Sequence, residues 1–228
     1  MALLILATVF LGFARTYYLA GMIHAPLPAF IIHVHGAVFS CWILLLVTQT
    51  ALVSAGRVDI HRRLGVLGFL LACSMVVLGV LAGTNALARG FPPPGLDAAT
   101  FYVVPITDML IFGTLIFFAF RKRSDSPAHK RLILIATIAL LIAAIARRPF
   151  AIFLGKSIAA GLFSYVFLLM LVAYDLWSIR KVHRATLWAG IFLIIVQQIR
   201  GAHRDDSTLA RLRWLGPRSG KLSPNVVT

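Results

Sequence analysis

Three short runs share one pattern of residue types: His61-Arg62-Arg63-Leu64-Gly65, His129-Lys130-Arg131-Leu132-Ile133 and His183-Arg184-Ala185-Thr186-Leu187. In each, a histidine is followed by a base and then by an apolar run. Imidazole nitrogens ligate transition metals and haem iron, so His61, His129 and His183 held at one depth could form a metal or haem site. That convergence requires the helices beginning at these runs to be neighbours. A simpler origin is interfacial. The basic groups meet lipid phosphates while their stems lie along an apolar boundary, and side chains at helix tips are poorly preorganised for ligation. Asp59, Ser126 and the histidines themselves are placed to satisfy the free N–H groups of these first turns.

A second set of polar residues lies inside apolar runs, where a charge is costly and therefore informative. Counted by helical rise, Asp108 falls about 10 Å below one end of its helix, and Arg147 and Arg148 fall within about 8 Å of the same end of theirs. His33 and His35, Gln197, Gln198 and Arg200, and Arg15 approach that level on three further helices. The plainest expectation is an ion pair between Asp108 and Arg147 or Arg148, each relieving the other's desolvation. The alternative is a ligand pocket in which His35 and an arginine act together, with Arg15 and Gln197 at its wall. His33 and His35 point about 200° apart on a helix, so only one faces inward. His35, followed by Gly36, is the better inward candidate. Asp175 is expected to pair locally with Arg180 or Lys181.

Several chemistries lack support. The chain has no phosphate-binding loop, zincin motif or nucleophile elbow, so the expectation leans against an enzyme. Cys41 and Cys73 lie in apolar runs with no C-x-x-C spacing and read as small buried hydrophobes. The net charge of +15 falls in short clusters between apolar runs rather than along one face, which argues against a nucleic-acid partner.

The elements that must position these residues are membrane helices. Hydrophobic residues make up 60% of the chain and charged ones 13%, there is no glutamate, and mean hydropathy is +0.92. So few anions cannot solvate a water-facing surface of this size, whereas a lipid-facing surface needs none. Each span needs about 20 mostly apolar residues, and seven candidates occur, near 2–20, 31–55, 61–88, 101–120, 131–153, 160–179 and 185–201. The expected fold is therefore all-α, an integral membrane bundle of about seven transmembrane helices over 1–201, followed by a basic, disordered extension at 202–228. The first apolar run is read as a retained helix rather than a cleaved signal peptide. Pro26, Pro28 and Pro92–Pro94 fall where turns are required, and Gly79 and Gly83 make a G-x-x-x-G that permits close helix approach. Eleven bases lie in the loops on one side and five in those on the other. That asymmetry predicts that the N-terminus and the His-base loops face the cytoplasm. The six bases from Arg200 onward run against the rule.

The segment from His33 to Gly68 resembles a group of uncharacterised bacterial multi-pass membrane proteins that pair a His-containing helix with a following His-Arg-x-Leu-Gly start. The matching pieces are His33-Val34-His35-Gly36, Gln49, Gly56-Arg57 and His61-Arg62-Arg63-Leu64-Gly65. Similarity extends through Phe13-Ala14-Arg15-Thr16-Tyr17-Tyr18, Val104-Pro105 with Asp108, Ala128-His129-Lys130-Arg131-Leu132, Ala146-Arg147 with Pro149-Phe150, and Tyr174-Asp175-Leu176-Trp177. The resemblance implies membership and topology, not an activity. More distantly the chain is similar to small membrane proteins that assist respiratory-oxidase assembly. The functional expectation is a non-enzymatic assembly factor or small-ligand sensor with a polar site near the periplasmic face, with the bilayer and a membrane protein as partners. The alternative is a haem- or quinone-binding redox protein, haem being the candidate cofactor. A transporter would be expected to show inverted repeats, whereas the His-base motif repeats in one direction.

Overall fold

A computed structural model describes residues 1–22, 24, 29–90, 98–147, 150 and 157–215, with the backbone alone for 98–100, 157–162 and 201–215. Among the described residues every regular element is helical. In chain order these are α1 (Ala2–Phe13), continued by a π-helical turn at Ala14–Tyr18, then α2 (Phe30–Ser54), α3 (Val58–Ala88), α4 (Ala98–Arg121) and α5 (Ser126–Leu140). A short α6 (Ile142–Ile145), α7 (Ser157–Ile179) and α8 (Arg184–Leu215) complete the chain.

Four segments are long and apolar enough to cross a membrane: Phe30–Ser54, Val58–Ala88, Phe101–Arg121 and Ser126–Ile145. Ala2–Tyr18 and Phe163–Ile179 are shorter apolar helices. The helix α8 runs unbroken to Leu215, past the boundary expected at residue 201. Residues 216–228 of the expected extension lie outside the described residues.

Local chemistry sets the ends. α2 closes where Gly56 takes φ +73°, with Gly56 N–H donating to Val53 and Arg57 N–H reaching back 2.8 Å to the Leu52 carbonyl. Only glycine adopts that left-handed turn cheaply, and the turn aims the chain directly into α3. α5 starts at Asp125, whose carboxylate accepts from Ala128 N–H at 3.2 Å, with Pro127 in the first turn. The cap is thus Asp125, one residue before the expected Ser126.

Consecutive helices α2, α3, α4 and α5 pack side by side, α8 packs on α4 and α5, α1 on α2 and α6, and α7 on α5 and α6. The core lies around α4 and α5, where Ile111, Phe112, Ile135 and Ile138 are fully buried. Small residues bring backbones together, as the G-x-x-x-G spacing predicted: Gly79 lies against Met109, and Gly83 against Pro105. Gly12 lies against the Ala144 backbone, which seats α1 on α6. Trp42 Nε1–H donates to Thr137 Oγ1 at 3.2 Å, linking α2 to α5. Cys41 and Cys73, expected inside, are exposed on the bundle's apolar outer surface.

Candidate functional site

The starts of α3, α5 and α8 meet at one end of the bundle, called here the basic end. Between α2, α3, α4 and α5 this end opens as a cleft of about 730 Å³. Its depth is apolar, with Trp42, Leu46, Phe69 and Ile116, and its rim is polar, with Gln49, His61, Arg62, Arg123, Ser126 and His129. On α3, His61, Gly65 and Gly68 sit at i, i+4 and i+7, so one face of the helix presents a histidine above two glycines.

His61 and His129 lie across this cleft with ring centres 6.3 Å apart and planes at 85°. His129 Nδ1 is 2.8 Å from the Ala119 carbonyl oxygen, which can only accept, so Nδ1 carries the proton and Nε2 keeps its lone pair. Gln49 donates from Nε2 to the His61 carbonyl at 3.3 Å. Gln49 Oε1 and His61 Nδ1 are buried without a hydrogen-bond partner. Two unsatisfied polar atoms on residues that line the cleft are what a bound polar group would satisfy.

His183 does not join them. Its Nδ1 accepts from Ala185 N–H at 3.1 Å, capping α8, so its lone pair is committed to the helix start. Of the three histidines weighed as one site, only His61 and His129 lie together. Among the described residues no group of three or more His, Cys, Asp or Glu is arranged to hold a metal ion.

Beside the cleft is a network that the local reading of Asp175 missed. Asp175, fully buried, pairs with Arg131 of α5 instead of Arg180 or Lys181. Arg131 donates to Asp175 Oδ1 from Nε at 2.8 Å and also from Nη2. Asp175 Oδ2 accepts from Thr186 Oγ1–H at 2.6 Å and from His183 N–H at 3.1 Å. One carboxylate therefore ties α5, α7 and the start of α8 together. Ala128, Arg131, Leu132, Ile135 and Ala139 form a buried stripe at helical spacing, but residues 132–136 are all apolar, so no periodicity in the sequence marks Arg131 as inward-facing.

At the opposite end the predicted polar layer is only partly assembled. Asp108 pairs with Arg200 of α8 at 2.6 Å, not with Arg147. Arg200 also donates to Thr107 Oγ1 at 3.2 Å. The cause is packing: α4 lies on α8, which sets Arg200 at the depth of Asp108. Arg147 lies beyond α6, stacks its guanidinium 4.3 Å from the Phe13 ring centre and donates to the Ala143 carbonyl. Arg148 lies outside the described residues. Arg15 is exposed and joins no polar cluster among the described residues.

Gln197, one turn from Arg200, is buried with neither amide atom partnered. His35 stacks on Phe39 with ring centres 4.1 Å apart, and its Nδ1 is also unpartnered. The room beside Gly36 is filled by the Tyr17 ring, whose hydroxyl donates to the His33 carbonyl at 3.0 Å. The Asp108 end thus holds a closed ion pair with separate unsatisfied groups, whereas the basic end holds an open cleft.

Comparison with protein-family models, curated proteins and solved structures gives no match to this chain.

Proposed function

We propose that this chain is a multi-pass protein of the bacterial inner membrane, with about seven crossing helices, and that it is a non-enzymatic small-ligand sensor or assembly factor. Its ligand site is the cleft at the basic end, which faces the cytoplasm, rather than the Asp108 layer. The observation that carries the site is the pair of buried, unpartnered atoms, Gln49 Oε1 and His61 Nδ1, beside His129 in a cleft of about 730 Å³. That volume lies within the range of about 300–1,000 Å³ common for small-molecule sites.

The bundle's outer surface supports the membrane reading. Leu67, Leu70, Val77, Leu110 and Phe117 stand exposed along α3 and α4, where lipid tails would cover them. Trp177 and Trp188 are exposed near the basic end, beside Arg180, Lys181 and Arg184, as in an interfacial aromatic belt. Reporter fusions after Ser124 and after Gly90 test the orientation, with cytoplasmic and periplasmic signals expected respectively. The reverse pattern overturns it.

Native mass spectrometry of the protein purified from its own membrane tests the site. The wild type should carry a small molecule that is absent from Gly65→Phe, because a Cβ at Gly65 meets only the Gln49 amide, at 3.7 Å, and the new ring would project into the cleft. A ligand-free wild type, or the same ligand on both proteins, defeats the proposal.

A further inference from the structure

We infer that the cleft holds a haem whose iron is ligated by His61 and His129, an assignment that rests on the cleft's proposed ligand-binding role. The spacing of the two rings is the starting point. An imidazole nitrogen lies about 2.0 Å from the metal and about 1.1 Å from its own ring centre, so two imidazoles on opposite sides of one iron have centres about 6.2 Å apart. The observed separation is 6.3 Å. Tetrahedral ligation of one ion would draw the centres in to about 5 Å. The distance matches opposed ligation better than tetrahedral ligation, and iron in a planar tetrapyrrole provides opposed ligation. Planes at 85° are compatible, because each ring may take any rotation about its own bond to the iron.

The surroundings agree at three points. The Ala119 carbonyl fixes the His129 tautomer through Nδ1–H and leaves Nε2 as a donor, the outer-shell arrangement that metal-bound histidines use. The depth of the cleft is apolar, and at Gly65 on its α3 wall only the Gln49 amide approaches the Cβ position, at 3.7 Å, so a macrocycle that displaces that amide can lie against the helix. At the rim Arg62 and Arg123 are exposed, Arg123 resting on the Phe120 ring and carbonyl, and two guanidiniums there match in number and charge the two propionates of a haem. A plain histidine pair would explain the ring distance but not these three features together.

The test is a hemin titration of the full-length protein in detergent micelles, followed by absorption and low-temperature EPR. One equivalent of hemin should give a six-coordinate, low-spin spectrum. His61→Ala and His129→Ala should each abolish it and weaken hemin binding at least about 10-fold. Added imidazole should restore the low-spin signal in the two variants. His129→Met guards against misfolding, since a folded variant should bind hemin with an altered low-spin spectrum. His183→Ala should match the wild type. Hemin bound without the low-spin signal, or a low-spin signal that survives both alanine variants, overturns the assignment. If mass spectrometry finds another molecule in the cleft and hemin does not bind, the haem assignment fails while the ligand-binding role stands. Loss of both results removes the role itself.

Discussion

Replacing Asp175 by alanine removes four hydrogen bonds at once: two from Arg131, one from Thr186 Oγ1–H and one from His183 N–H. It also strands a guanidinium that is 3% exposed and retains only the Pro127 carbonyl, at 2.7 Å. Breaking a buried ion pair by deleting one partner costs about 3–5 kcal/mol, most of it the penalty of the charge left behind. The unmet Thr186 hydroxyl and His183 N–H each add about 1 kcal/mol. Asp175→Ala should therefore cost about 5 kcal/mol or more. Thr186→Val removes only one bond to a charged acceptor and should cost about 1.5–3 kcal/mol. Replacing both charges, Asp175→Leu with Arg131→Met, should recover most of the loss, because no charge remains buried. Reversible unfolding in mixed micelles, run as a double-mutant cycle, measures each quantity. Strict additivity of the Asp175 and Arg131 losses, or an Asp175→Ala cost no larger than that of Thr186→Val, would refute the reasoning.

Two further perturbations separate the observed packing from its alternatives. Asp108→Asn leaves Arg200 uncompensated and should cost about 3 kcal/mol, recovered on adding Arg200→Gln but not on adding Arg147→Gln; melting of the three variants decides. Rescue by Arg147→Gln would restore the pairing first expected from the sequence. At Gly12, a Cβ would meet the Ala144 carbonyl group, so Gly12→Ala should cost about 1–3 kcal/mol and loosen α1, detected as faster proteolysis near the N-terminus. Gly21→Ala is the control, since a Cβ there meets nothing within 4 Å.

The helices were legible in the sequence because run length and breakers are local properties. Segments read as 31–55, 61–88 and 101–120 correspond to Phe30–Ser54, Val58–Ala88 and Ala98–Arg121. The His-base runs did mark helix starts at one end, as their repetition suggested. Partner choice was not legible, because nothing local says which helices touch. Asp108 was assigned to Arg147 or Arg148 by depth alone, and depth cannot distinguish the segment after α6 from α8. Asp175 was assigned to its sequence neighbours, because the unbroken apolar run after Arg131 carries no period that shows which way Arg131 faces. The cleft depends on His61 and Gln49 meeting across the turn at Gly56, a contact that the spacing permits but does not require.

Both buried ion pairs have a consequence for the order in which the chain is made. Arg131 must wait 44 residues of synthesis for Asp175, and Asp108 must wait 92 for Arg200. Thr186 and His183, which complete the carboxylate's shell, arrive on the last helix as well. Until α7 and α8 emerge, a ribosome-bound chain carries an unmatched cation near one face and an unmatched anion near the other. A chain cut short before α8 leaves Asp108 without its cation. Both ion-pair networks are thus completed only with α8 and the turn before it.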